Sequence, residues 1–182
     1  MPTPTSNKSL ATKSGGFATI IDALDYAAQG ETGYSFFNLR GEVSTALPYR
    51  ELRDNAKALA RRLAGRFERG ARLAVVAETS PEFLTTFYAC QYAGLIPAPM
   101  PMPVNLGGKD GYITQIRQMI SGAKADAVVG PVNLREFLSD AADQAGCDTV
   151  LDFDELNALD DNGVEAVPFG PDDYCYIQYS SG

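Results

Sequence analysis

The strongest candidate for chemistry is Ser180-Ser181-Gly182, which directly follows Tyr174–Tyr179, a run that reads as a β-strand. A turn leaving the carboxyl end of a parallel strand is where α/β folds place ligands. Small hydroxyl residues beside a glycine let O–H and backbone N–H groups converge on a phosphate. The same three residues read equally well as a solvated chain end. Other reactive arrangements are narrowed by what the sequence lacks. Histidine is absent, which excludes a Ser-His-Asp triad, a Cys-His pair and every His-containing metal site within these residues. Cys90, Cys147 and Cys175 are odd in number and far apart, with neither a CxxC motif nor a zinc spacing. Reduced thiols in a cytoplasmic protein are therefore expected. Cys90 lies in line with Phe83 and Phe87 at helical spacing, a packing position.

The acidic groups Asp172-Asp173 and Asp152/Asp154/Glu155 could be paired carboxylates or a Mg²⁺ site. A solvated loop for the first and a helix N-terminus for the second fit better, because acids favour first helical turns. Gly107-Gly108 reads as a flexible connector after a proline run. Tyr88, Tyr92 and Tyr112 fit helix faces directed at the core. A net charge of −8 with no basic patch argues against a nucleic-acid or anionic-membrane partner. No stretch approaches the roughly 20 apolar residues that span a bilayer. The apolar run Leu95–Val104 carries Pro97, Pro99, Pro101 and Pro103 and cannot be a membrane helix.

The elements that must position these residues follow from periodicity. Residues 1–15 lack a signal-peptide core and read as a disordered tail, with an α/β unit over 16–182. Phe17–Ala28 is expected to form a helix, and Tyr34–Leu39 and Glu42–Leu47 a hairpin turning at Gly41. A second helix runs from Pro48 to Gly65, with Gly65 or Gly70 closing it. Leu73–Ala77 reads as a buried parallel strand. Ser80-Pro81-Glu82 supplies an N-cap, a first-turn proline and an early acid for a helix that ends at Gly94. A short strand, Leu95–Pro97, completes a βαβ unit. Two more helices, capped by Asp110 and Asn133, precede strands Ala127–Val129 and Thr149–Leu151. The alternation predicts an α/β fold, a mostly parallel sheet with helices on both faces.

The order of segments resembles that of adenylate-forming enzymes, the superfamily of acyl-CoA synthetases, nonribosomal adenylation domains and luciferases. Pro48-Tyr49-Arg50-Glu51-Leu52 with Ala56–Leu63 is similar to their Tyr-x-x-Leu and helix, and Tyr92-Ala93-Gly94-Leu95-Ile96-Pro97 to their AG-x-x-P turn. Pro171-Asp172-Asp173 and Tyr176–Gly182 resemble the strand entering their signature loop. Gln178-Tyr179 and the run Pro97–Pro103 look most like fatty acyl-AMP ligases. Ser180 stands where that motif usually has Thr, and keeps the hydroxyl donor.

The resemblance implies the N-terminal part of a fatty-acid-activating ligase, cut at its phosphate-binding loop. Such an enzyme uses ATP and Mg²⁺ to make acyl-AMP from a fatty acid, then passes the acyl group to an acyl carrier protein or CoA. Ser180, Ser181 and the N–H of Gly182 are the positions that carry over, as the start of the loop on the β/γ-phosphates. No catalytic residue and no metal ligand carries over. This stretch alone is expected to bind no cofactor and to be inactive, and to self-associate as a symmetric dimer through a strand left uncovered. An aryl- or amino-acid-adenylating enzyme and a non-catalytic α/β binding module are the competing readings.

Overall fold

The structure is a computed structural model and describes residues 10–103 and 108–180. Thr19 caps α1 (Ile20–Ala27): its hydroxyl accepts from the Asp22 N–H, and the Thr19 N–H donates in turn to the Asp22 carboxylate. The hairpin of β1 (Gly33–Phe37) and β2 (Val43–Pro48) turns at Gly41, whose φ is +77°. Pro48 leads straight into α2 (Tyr49–Arg66), whose Leu52, Ala56, Leu59, Ala60 and Leu63 are buried. Gly65 does not close this helix but lies inside it. The chain turns back after the helix at Gly70, with φ +88°.

A four-stranded parallel sheet follows, in the spatial order β4-β3-β5-β6. Its strands are β3 (Arg72–Val76), β4 (Ile96–Met100), β5 (Ala127–Gly130) and β6 (Val150–Asp152). Alternate residues of β3 face opposite layers, as strand geometry requires. Leu73 and Val75 join α1, α2, α3 (Pro81–Ala93) and α6 (Phe153–Asn157) in one core. Ala74 and Val76 join α4 (Lys109–Ala123) and α5 (Arg135–Ala145) in the other. Helices thus cover both faces of the sheet, as the alternation predicts.

Local details depart from the sequence reading where capping was inferred from residue type. Neither Asp110 nor Asn133 caps its helix. Asp110 lies in the first turn of α4, whose N-cap position is Gly108, and Asn133 lies within a 3₁₀ turn, Val132–Leu134. Gly107, the other half of the expected connector, lies outside the described residues. Ser80 does cap α3, accepting from the Phe83 N–H at 3.3 Å. Gly94 ends α3 with φ +68°, and a Cβ there would stand 2.5 Å from the Val167 carbonyl oxygen. Of the expected tail, residues 10–15 are irregular and touch α1, where the Tyr26 hydroxyl donates to the Ala11 carbonyl at 2.6 Å. Residues 1–9 lie outside the described residues.

β4 is longer than the expected Leu95–Pro97, because proline is tolerated on one side of an edge strand. The Ile96 N–H donates to the Ala71 carbonyl, and the Met100 carbonyl accepts from the Ala77 N–H, so even-numbered residues face β3. Pro97 and Pro99 therefore face outward.

Candidate functional site

Tyr174–Tyr179 does not form the expected sheet strand. It is an extended segment without a ladder, laid along the outer edge of β4. The cause is the proline alternation. A ladder needs donors from both strands, and Pro97 and Pro99 have no N–H to give. The edge offers carbonyls only, and the Ile177 N–H takes one, donating to the Pro97 oxygen at 3.0 Å. The segment keeps strand-like alternation: Cys175, Ile177 and Tyr179 are half-buried, while Tyr174, Tyr176, Gln178 and Ser180 are exposed.

Side chains supply the rest of the attachment. Arg69, in the loop before β3, donates to the Asp173 carboxylate at 2.8 Å and to the Pro168 carbonyl at 3.3 Å. The Gly170 N–H donates to the same carboxylate at 2.8 Å. Those partners hold the Asp173 carboxyl below the usual carboxylate range, the Arg69 guanidinium first. Gln91, on α3 and only 3% exposed, reaches the segment from below. Its Nε2 donates to the Cys175 carbonyl and its Oε1 accepts from the Cys175 thiol at 3.1 Å. Its main-chain carbonyl accepts from the Phe169 N–H at 3.3 Å. Further along, the Tyr176 ring meets Phe87 of α3 at 5.7 Å in an edge-on arrangement. The Tyr179 hydroxyl donates to the Met119 carbonyl of α4 at 2.6 Å, and burial raises its pKa. The segment is pinned to α3, β4 and α4 in turn and delivers Ser180 to solvent.

Of the three sequence-predicted site residues, Ser180 is placed and exposed. Ser181 and Gly182 lie outside the described residues. Ser180 offers one neutral O–H donor on a tethered segment. Sequence reasoning missed Gln91 and Arg69. Gln91 carried a usable signal, since it is a polar residue on a helix face shared with Phe83, Leu84, Phe87 and Tyr88.

The remaining candidates are structural. Asp152 and Glu155 form the capping box of α6, and Arg135 bonds both carboxylates. That pairing holds Glu155 below its usual range. Among the described residues no group of three His, Cys, Asp or Glu side chains could hold a metal ion. The Cys90 thiol is wholly buried, and burial pushes its pKa up to about 12, so it packs and does not react. Tyr92 is buried with its hydroxyl donating to Asp25 at 2.7 Å. Burial also pushes the Tyr112 phenol up to about 12. All three cysteines are free thiols.

Residues 26–182 match the family of AMP-binding enzymes. The chain belongs to that family. This AMP-binding enzyme segment is 44% identical over 170 residues to a Caulobacter vibrioides protein named as an acyl-CoA synthetase, covering 91% of this chain and 29% of that protein. It is 25% identical over 175 residues to a medium-chain-fatty-acid–[acyl-carrier-protein] ligase of Moorena producens, again 91% of this chain and 29% of the relative. A chain solved in a study of fatty acyl-adenylate ligases from E. coli and L. pneumophila superposes with a TM-score of 0.85 at 33% identity, covering 91% of this chain and 30% of that one. The AMP-binding enzyme segment thus spans less than a third of the length of these relatives.

Proposed function

We propose that the whole protein activates a fatty acid with ATP and transfers the acyl group to a thiol, either CoA or the phosphopantetheine of an acyl carrier protein. In the first step a carboxylate oxygen attacks the α-phosphorus and pyrophosphate leaves. In the second the thiol sulfur attacks the acyl carbonyl and AMP leaves. The 33% identity to a chain from fatty acyl-adenylate ligase work supports the fatty-acid reading, as does the fatty-acid ligase name of the Moorena relative.

One observation carries the assignment of the site: the segment that carries Ser180 is fixed to three elements while Ser180 itself is exposed. Ser180 and Ser181 would donate O–H groups and Gly182 its N–H to the β/γ-phosphates. Placing such donors beforehand is the main contribution a protein makes to phosphoryl chemistry. Mg²⁺, when bound, offsets charge on the phosphates, and no residue described in this chain is assigned to it. We place the reaction in the cytoplasm, in keeping with three unpaired thiols.

The test is pyrophosphate release with ATP, Mg²⁺ and fatty acids of graded length. The whole protein should release it, and Ser180→Ala should lower the rate by about a hundredfold or more, in the range of one lost transition-state donor. This chain alone should release none. Release by this chain alone, or a preference of the whole protein for aryl or amino acids over fatty acids, would sink the corresponding part of the proposal.

A further inference from the structure

We infer that Gln91 is a positioning residue for the segment that carries Ser180, supplying from a side chain the hydrogen-bond donor that Pro97 withholds from the main chain. The assignment to ATP chemistry rests on the reading proposed above, whereas the tether itself does not. In a parallel pair, a residue facing its neighbour donates its N–H to one carbonyl and accepts at its own C=O from an N–H two residues further on. The bond from Ile177 N–H to Pro97 oxygen fixes the register. In that register the Cys175 carbonyl would take the N–H of residue 97 and the Ile177 carbonyl that of residue 99. Both are proline.

The Cys175 carbonyl is nonetheless satisfied, by Nε2 of Gln91. The amide is spent entirely on one residue, since its Oε1 takes the Cys175 thiol at 3.1 Å. Gln91 is one of two buried polar side chains among the described residues, at 3% exposure. A buried amide with no partner would be costly. The neighbouring Gln91 carbonyl holds Phe169 at 3.3 Å, so a single residue anchors the segment before and within its extended part.

The substitution pair that tests this is Gln91→Met, which keeps the volume and removes the donor, and Pro97→Ala, which restores a main-chain N–H at the vacant place. Amide exchange of Ile177 in this chain is the first readout. Gln91→Met should speed it about tenfold, the cost of an unmet buried carbonyl, while Leu73–Val75 amides stay unchanged. Adding Pro97→Ala should bring it back toward the original rate, an effect that a purely packing role for Gln91 would not produce. Should Gln91→Met not fold, Gln91→Asn keeps the amide but shortens its reach and should behave alike. Unchanged Ile177 exchange, or no rescue by Pro97→Ala, overturns the inference. The second readout, in the whole protein, is the KM for ATP, expected to rise several-fold with Gln91→Met and to recover in the double variant. If exchange responds and is rescued but the KM does not move, the tether stands and the phosphate role of Ser180 falls.

Discussion

Asp173 illustrates how far single residues could be read in advance. The sequence marked it as an acid in a solvated loop, but not that Arg69, far away in the chain, would hold it at 2.8 Å. Its folded pKa is depressed. The contribution to docking is therefore fully present above the unfolded value of about 3.9 and lost as pH falls through the lower folded value. Protection of the Gly170 amide, which donates to this carboxylate, relative to its intrinsic exchange rate should fall below about pH 4, and Asp173→Asn should abolish that fall. A profile unaffected by the substitution would show that the pair does not hold the loop. Cys90 was legible because a thiol in line with Phe83 and Phe87 belongs to a helix's buried stripe. Thiol titration of the native protein should leave Cys90 unmodified and label Cys175 first, since only Cys175 is partly open to solvent. Gln91 was legible as a polar residue on a packed helix face but not in its role, because its partner lies 84 residues on.

Elements were recovered well where periodicity and punctuation agree. Ser80, Pro81 and Gly94 bound α3 as read. Ser80→Ala should cost about 1 kcal/mol through the lost cap. Gly94→Ala should cost more, about 2–3 kcal/mol, because it adds a left-handed penalty to a clash with the Val167 carbonyl. Urea unfolding measures both, and a Gly94→Ala cost no larger than that of Ser80→Ala would contradict the contact. The expected strand Tyr174–Tyr179 is the element that did not form. The alternation is present, but a ladder depends on the neighbour's donors, and the prolines that remove them belong to a distant part of the chain. Asp110 and Asn133 failed for another reason. A side chain able to cap does so only if it falls at the boundary, and the helices there begin one residue earlier or two later.

At the scale of the molecule, a parallel sheet covered on both faces was foreseeable from alternating helices and strands, whereas the strand order was not. The connection from β4 crosses β3, so that β5 pairs with the other edge of β3. Among the described residues no helix is long and apolar enough to cross a membrane. Tyr174 and Tyr176 remain 83% and 43% exposed on the outer side of the docked segment, and we expect this chain to self-associate there as a symmetric dimer. Light scattering at high concentration checks it, and a monomer mass counts against it. The acceptor-only rim of β4 constrains how such an assembly can form. Two copies meeting rim to rim would set carbonyl against carbonyl, with no proton to share between them. The proline pair thus makes the sheet immune to growth by its own replication at that border, even in molecules whose tethered segment has come loose.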